Sequence, residues 1–203
     1  MIVTSSTPYL WINAAEVAFL KAEYELRWGT KDAAKALYEQ AIRLSFEDKG
    51  AKDADAYIAD KTRKPAAYND PLGNYSATAL SSITIAWEDD SAEGADKAAI
   101  KERNLERIIT QKWIAIFPLG VEAWSEHRRT GYPRLLPAVE DKSGGTVDLA
   151  QGARRLPYPV EEYDKNNANL QDAVQMLNSE SQGSRKGDGM GTRVWWDVKP
   201  YNN

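Results

Sequence analysis

The chain has 203 residues, 42% of them hydrophobic and 28% charged, with a formal net charge of −4. Such a length fits one ordinary domain or part of a larger protein, and the acidic balance argues against a nucleic-acid or anionic-membrane surface. Cysteine is absent, which excludes disulfides, a thiol nucleophile and a zinc–thiolate site; no run approaches the ~18 apolar residues of a membrane-crossing helix, and the opening Met1-Ile2-Val3-Thr4 does not read as a signal peptide.

Asn13 to Trp28 reads as a helix, with Asn13 as N-cap and Glu16 completing a capping box. Val17, Leu20 and Tyr24 recur at helical spacing, Ala14, Ala15, Ala18 and Ala22 permit close approach, and Gly29 is a stop. Asp32 opens a second helix through Glu47, with Leu37, Tyr38, Ala41, Ile42 and Leu44 as its apolar side. The short WGTKD connection makes an antiparallel hairpin. Ala34, Tyr38 and Ala41 give the second helix the small–aromatic–small pattern of a tetratricopeptide unit. One such unit cannot bury its own apolar face, and no second copy is visible.

From Gly50 to Ala95 the periodicity loosens. Asp53 to Lys61 fits a short helix, and Asp70-Pro71-Leu72-Gly73-Asn74 marks a loop. Ser82 to Trp87 (SITIAW) fits a short strand or a fragment of helix. Glu88, Asp89, Asp90 and Glu93 lack the alternate spacing of a calcium loop and read as a solvated acidic run. Asp96 to Glu126 reads as one long helix or two in series, with Ile100, Leu105, Ile108, Ile109, Trp113, Ile116 and Phe117 recurring at three and four and Pro118 ending or kinking it. Helix resumes from Val121 to Arg128 and stops at Gly131-Tyr132-Pro133.

Beyond that the chain is mostly irregular. Ser143-Gly144-Gly145 is a turn. Arg154 to Pro159 is extended, because residues before proline avoid the helical region. Pro159 to Tyr163 starts a helical turn, and Asn166 to Asn178 suggests a last helix with Ala168, Leu170, Val174 and Leu177 inward. The Gly- and Ser-rich tail ends in Trp195-Trp196-Asp197, and these tryptophans can tie it down.

Four pieces in this order resemble the C-terminal half of SusD-like (SusD/RagB) outer-membrane nutrient-binding lipoproteins. They are AAEVAFLKAEYELRWG with DAAKALYEQAIRLSF, then IITQKWIAIFPLGVEAWSEHRRTGYPRL, RRLPYPVEEYDKNNAN and the closing VWWD. The resemblance implies a mainly α fold of tetratricopeptide-like helix pairs with extensive loops and few short strands. It divides the chain into a helix hairpin (1–49), a loop-rich insert (50–95), a kinked helical scaffold (96–135) and an irregular region with one helix (136–203). It also implies a non-catalytic protein without cofactors, lipid-anchored on the outward face of the Bacteroidetes outer membrane. Such a protein captures a glycan, or in some members a peptide, for a SusC-like TonB-dependent transporter in polysaccharide utilization. The lipidation cysteine and the family's first tetratricopeptide-like units are missing from the chain, as expected of a C-terminal piece. A generic tetratricopeptide module for protein partners is the alternative.

The chain's only histidine, His127, has no nucleophile or metal partner at a recognisable spacing, so catalysis is disfavoured. Trp113, Trp124, His127, Arg128, Arg129 and Tyr132 read as architecture. Trp124 could stack with Arg128, and Arg128 and Arg129 could fork onto Glu122 or Glu126. A glycan site needs exposed rings beside amides and carboxylates. Tyr68, Asn69, Asp70, Asn74, Tyr75 and Trp87 in the loop fit in type, as do Trp195, Trp196 and Asp197 in the tail.

Overall fold

The computed structural model describes residues 6, 10–180 and 186–197. The opening Met1–Thr4 and the serine-bearing stretch 181–185 lie outside the described residues. Contacts divide the chain into two compact units, residues 1–67 with 78–127 and residues 68–77 with 128–203.

In the first unit, α1 (Ala14–Trp28) begins where the Asn13 side chain accepts a hydrogen bond from the Glu16 N–H at 2.7 Å. That satisfies one of the free donors of the first turn. Glu16 does not close a capping box: it is buried, 3.7 Å from Lys112. The buried face of α1 is Ala15, Ala18, Phe19, Ala22 and Leu26. Val17, Leu20 and Tyr24 point outward instead, together with Trp28 at 73% exposure. The small residues win the inward face because they let α1 lie close to α2 (Lys31–Asp48) and α4 (Lys97–Ala115).

Thr30 caps α2 by accepting from the Ala33 N–H, so the helix starts at Lys31, one residue before the expected Asp32. Ala34, Tyr38 and Ala41 are fully buried, so the tetratricopeptide-like pattern marks the packed seam. Tyr38 sets its ring edge-on to Phe19 and donates its hydroxyl to the Ile85 carbonyl at 2.7 Å. A short α3 (Ala54–Ile58) follows. Ser82 to Trp87 forms neither strand nor helix, although Ile83 and Ala86 are buried against the helices. Backbone bonding there goes sideways, from the Ala86 N–H to the Asp60 carbonyl.

Asp96 caps α4, which ends before the cis Phe117–Pro118 peptide, and α5 (Gly120–Thr130) resumes as the proline position requires. Ile100, Leu105, Ile108, Ile109 and Ile116 are buried, but Trp113 and Phe117 are exposed. Lys112 takes the inward position beside Trp113, because Glu16, Glu122 and Glu126 surround its ammonium at 3.7, 3.5 and 3.1 Å.

In the second unit, β1 (Tyr68–Asn69) and β2 (Ser76–Ala77) form an antiparallel hairpin not expected from the sequence. Residues 136–159 contain no helix or strand beyond an isolated bridge between Asp148 and Gly152. Then come α6 (Val160–Lys165) and α7 (Asn167–Glu180), packed on each other. Leu170 is buried in α7, Val174 and Leu177 are half-buried, and Ala168 is exposed rather than inward. No described helix is long and apolar enough to cross a membrane.

Candidate functional site

The hairpin is built by Asp70. Its carboxylate accepts from the Leu72 N–H at 3.2 Å and the Asn74 N–H at 3.1 Å. Its own N–H donates to the Tyr75 carbonyl, and Gly73, at φ +73°, takes the left-handed position that glycine adopts freely. The Leu72 N–H is the first cause of a carboxyl pKa held below its ordinary value. Asp70 therefore builds the turn. On one face of the hairpin, Tyr68 and Tyr75 lie diagonally across the strands, ring centroids 6.0 Å apart at 41°. Tyr68 is 45% exposed, Tyr75 is half-buried, and Asn69 and Asn74 are exposed. Two rings flanked by amides make a stacking surface of the kind sugars need.

Trp87 belongs to the first unit. Tyr38 backs its indole at 5.6 Å, and the indole lines a cleft of about 380 Å³. The neighbouring acidic run is not simply solvated. Glu88 is forked by Arg103 and lies 3.1 Å from Arg107, while Asp90 meets Lys31. Among the described residues no group of three or more His, Cys, Asp or Glu side chains could hold a metal ion.

The tail candidates separate. Trp195 is 68% exposed, whereas Asp197 is fully buried, its carboxylate forked by Arg154, itself fully buried. Trp196 lies under the Arg128 guanidinium at 4.7 Å. Asp197 and Trp196 thus serve the packing of the second unit, and only Trp195 offers an open ring. Arg128 stacks on Trp196 and donates to the Arg154 carbonyl at 2.7 Å. Tyr132 is buried, with its N–H on the Thr130 hydroxyl at 3.2 Å. Trp124, His127 and Arg129 are half-buried on α5.

A second anchor, missed in the sequence, is Asp188. Its carboxylate accepts from Arg155, from the Tyr158 N–H at 3.0 Å and from the Tyr163 hydroxyl at 2.7 Å. Burial pushes this carboxyl up, but Arg155, Tyr163 and Tyr158 together hold it below the ordinary 3.8. Its stabilising contribution is present above that ordinary value and is lost as pH falls through the lowered one. Asp188→Asn is expected to cost about 1.5–3 kcal/mol at pH 7, read by urea unfolding, and the deficit should shrink on acidification below the ordinary carboxyl range. An unchanged stability would remove Asp188 from this role.

Other residues that the sequence did not single out are Lys31, Lys35, Lys97 and Lys101 around the Trp87 cleft. Each pair stands four apart at the start of a helix, which was visible, but their convergence is a product of tertiary packing.

The family described as SusD-like, Susd and RagB outer membrane lipoprotein, matches residues 1–197. A susD homolog from Bacteroides thetaiotaomicron is 49% identical with a TM-score of 0.85, covering 98% of this chain and 40% of its own. A SusD homolog from Bacteroides uniformis is 51% identical with a TM-score of 0.81, covering 98% and 39%. A chitin-binding SusD homolog from Flavobacterium johnsoniae is 42% identical with a TM-score of 0.76, covering 93% and 36%. No curated protein matches. The chain thus spans about 40% of the length of the first of these solved relatives. Helix order, the buried tetratricopeptide-like seam and the match over residues 1–197 agree, and the chain belongs to the SusD-like family.

Proposed function

We propose that this chain is the C-terminal portion of a non-catalytic surface protein that captures a glycan for import through a SusC-like TonB-dependent transporter. In this reading the whole protein is lipid-anchored and faces outward from the outer membrane. The observation that carries the proposal is the 42% identity, over 93% of the chain, to a chitin-binding SusD homolog. The Tyr68–Tyr75 pair supplies a ligand surface of matching chemistry, with Asn69 and Asn74 at its edge. Trp195 is a second open ring. The outward apolar stripe of α1, Val17, Leu20, Tyr24 and Trp28, is the face against which upstream helical hairpins of the longer polypeptide would stack. A generic groove-binding module is less well supported, because α1–α2 is the one tetratricopeptide-like hairpin among the described residues.

The test is a titration of the whole native polypeptide with soluble chitooligosaccharides and other neutral glycans, followed by tryptophan and tyrosine fluorescence. Tyr68→Ala and Tyr75→Ala are each expected to weaken binding about tenfold, the scale of an aromatic anchor worth ~1.4 kcal/mol. Unchanged affinity in both variants would remove the hairpin from the ligand surface.

A further inference from the structure

We propose that the Trp87 cleft is a subsite for an anionic sugar, a pyranose carrying a carboxylate or a sulfate. The inference rests on the reading that the protein captures glycans, and adds to it a second place and a charge preference.

The platform is fixed before any ligand arrives. Tyr38 supports the indole from the core side, and Phe19 in turn stands edge-on to Tyr38. The backbone carrying the indole is pinned next door. Asn104, buried on α4, accepts from the Glu88 N–H at 3.1 Å and donates to the Glu88 carbonyl at 2.9 Å. Arg103 and Arg107 hold the Glu88 carboxylate. A ring held in this way loses little freedom when a sugar stacks on it. The cleft volume of about 380 Å³ lies in the ~300–1,000 Å³ range of small-molecule sites and has room for a mono- or disaccharide.

The charges decide the class of sugar. Lys31, Lys35, Lys97 and Lys101 line the cleft, against Asp32, Glu88, Asp89 and Asp90. Most of the carboxylates are already engaged. Glu88 is held by its arginines, which do not themselves line the cleft, and Asp90 is paired with Lys31. Asp89 accepts from the Ser91 N–H at 2.7 Å. Asp32 sits in the first turn of α2, where a carboxylate complements the helix end. On the cationic side, Lys101 donates to the Arg27 carbonyl at 3.3 Å. Lys35 and Lys97 are exposed and form neither a hydrogen bond nor an ion pair among the described residues. In a chain of net charge −4, the cleft is thus lined by an indole and by ammonium groups on two different helices, Lys97 and Lys35, of which Lys35 acts on Asp89 by charge alone. An uncharged sugar would leave them unused; a uronate or sulfate would meet them while its ring covers Trp87.

The experiment titrates the whole native polypeptide with trigalacturonate, with a sulfated N-acetylglucosamine disaccharide and with neutral chitotriose, at low and high salt. The double variant Lys35→Gln/Lys97→Gln changes only exposed side chains, so its fold is expected to survive, with circular dichroism as the check. At least one anionic probe should quench the Trp87 signal, and its affinity should fall about tenfold or more in the double variant and also with added salt. The two anionic arms separate carboxylate from sulfate recognition. Chitotriose binding should be unchanged by the double variant. Chitotriose binding with no binding of either anionic probe overturns the subsite but leaves glycan capture standing. An anionic probe whose affinity ignores the lysine substitutions overturns it too. If no probe of any kind binds, the capture reading fails first and takes the subsite with it.

Discussion

Asp197→Asn is expected to destabilise the protein by about 3–5 kcal/mol, the scale for breaking a buried ion pair from one side. Arg154 and Asp197 are both fully buried, and the guanidinium forks the carboxylate. Arg193 adds its own cation, 4.0 Å from an Asp197 oxygen. Burial lowers the Arg128 and Arg193 pKa values, and the Asp197 charge works against that fall. Asparagine is nearly isosteric, so packing is preserved while the buried cations lose their anion. The cost lies in leaving them uncompensated, not in the favourable worth of the pair itself. Replacing both partners, as Arg154→Met with Asp197→Leu, should therefore recover the share of the loss that belongs to Arg154, while Arg193 still lacks its anion. Urea unfolding of the single and double variants reads both quantities. A single-variant loss under about 1 kcal/mol, on the scale of a surface pair, would show that Asp197 is not the anchor described here.

Lys112→Met is expected to cost about 3–5 kcal/mol at pH 7 for the complementary reason. Its ammonium lies amid Glu16, Glu122 and Glu126, pairing by charge and without a well-aligned hydrogen bond. Lys112, Glu16 and Glu126 are buried, so most of the effect falls on those two carboxylates; Glu122 is partly open to solvent. Burial is the largest influence on Glu16 and raises its pKa; Lys112 opposes the rise, and Glu122 and Glu126 add to it. A carboxyl with a raised pKa in the folded state contributes stability that is present below the unfolded value, here 4.5, and is lost as pH rises through the folded value. Removing Lys112 should raise it further, so the variant's deficit should be larger at pH 8 than at pH 5. Denaturation at the two pH values measures the difference. Equal deficits would mean that the carboxylates do not sense the ammonium.

Part of this fold is legible in the sequence. The tetratricopeptide-like pattern of Ala34, Tyr38 and Ala41 marks residues that are fully buried, because small residues at that spacing let a neighbouring helix approach closely. The α4–α5 break was readable because proline forbids the helical bond at Pro118. On α1 the alanines that permit close approach, with Phe19, face α2 and α4, whereas the larger Val17, Leu20 and Tyr24 at helical spacing lie outward, a choice that spacing alone does not settle. The pairing of Lys112 with Glu16 and Glu126 is not legible in the sequence, because Glu16 stands far along the chain from the other two. The tail tryptophans could be typed but not sorted, since only the fold shows Trp196 spent on Arg128 and Trp195 left open. The Tyr68–Tyr75 pairing depends on a turn organised by one aspartate, a feature of backbone bonding that composition does not display.

The most direct test of the capture reading is calorimetric titration of the whole native polypeptide with a panel of soluble oligosaccharides, each recovered afterwards and analysed for cleavage. The expected result is saturable heat with at least one glycan and full recovery of that glycan intact. Flat titrations across the panel, or shortened products that accumulate with time, would contradict a non-catalytic capture protein.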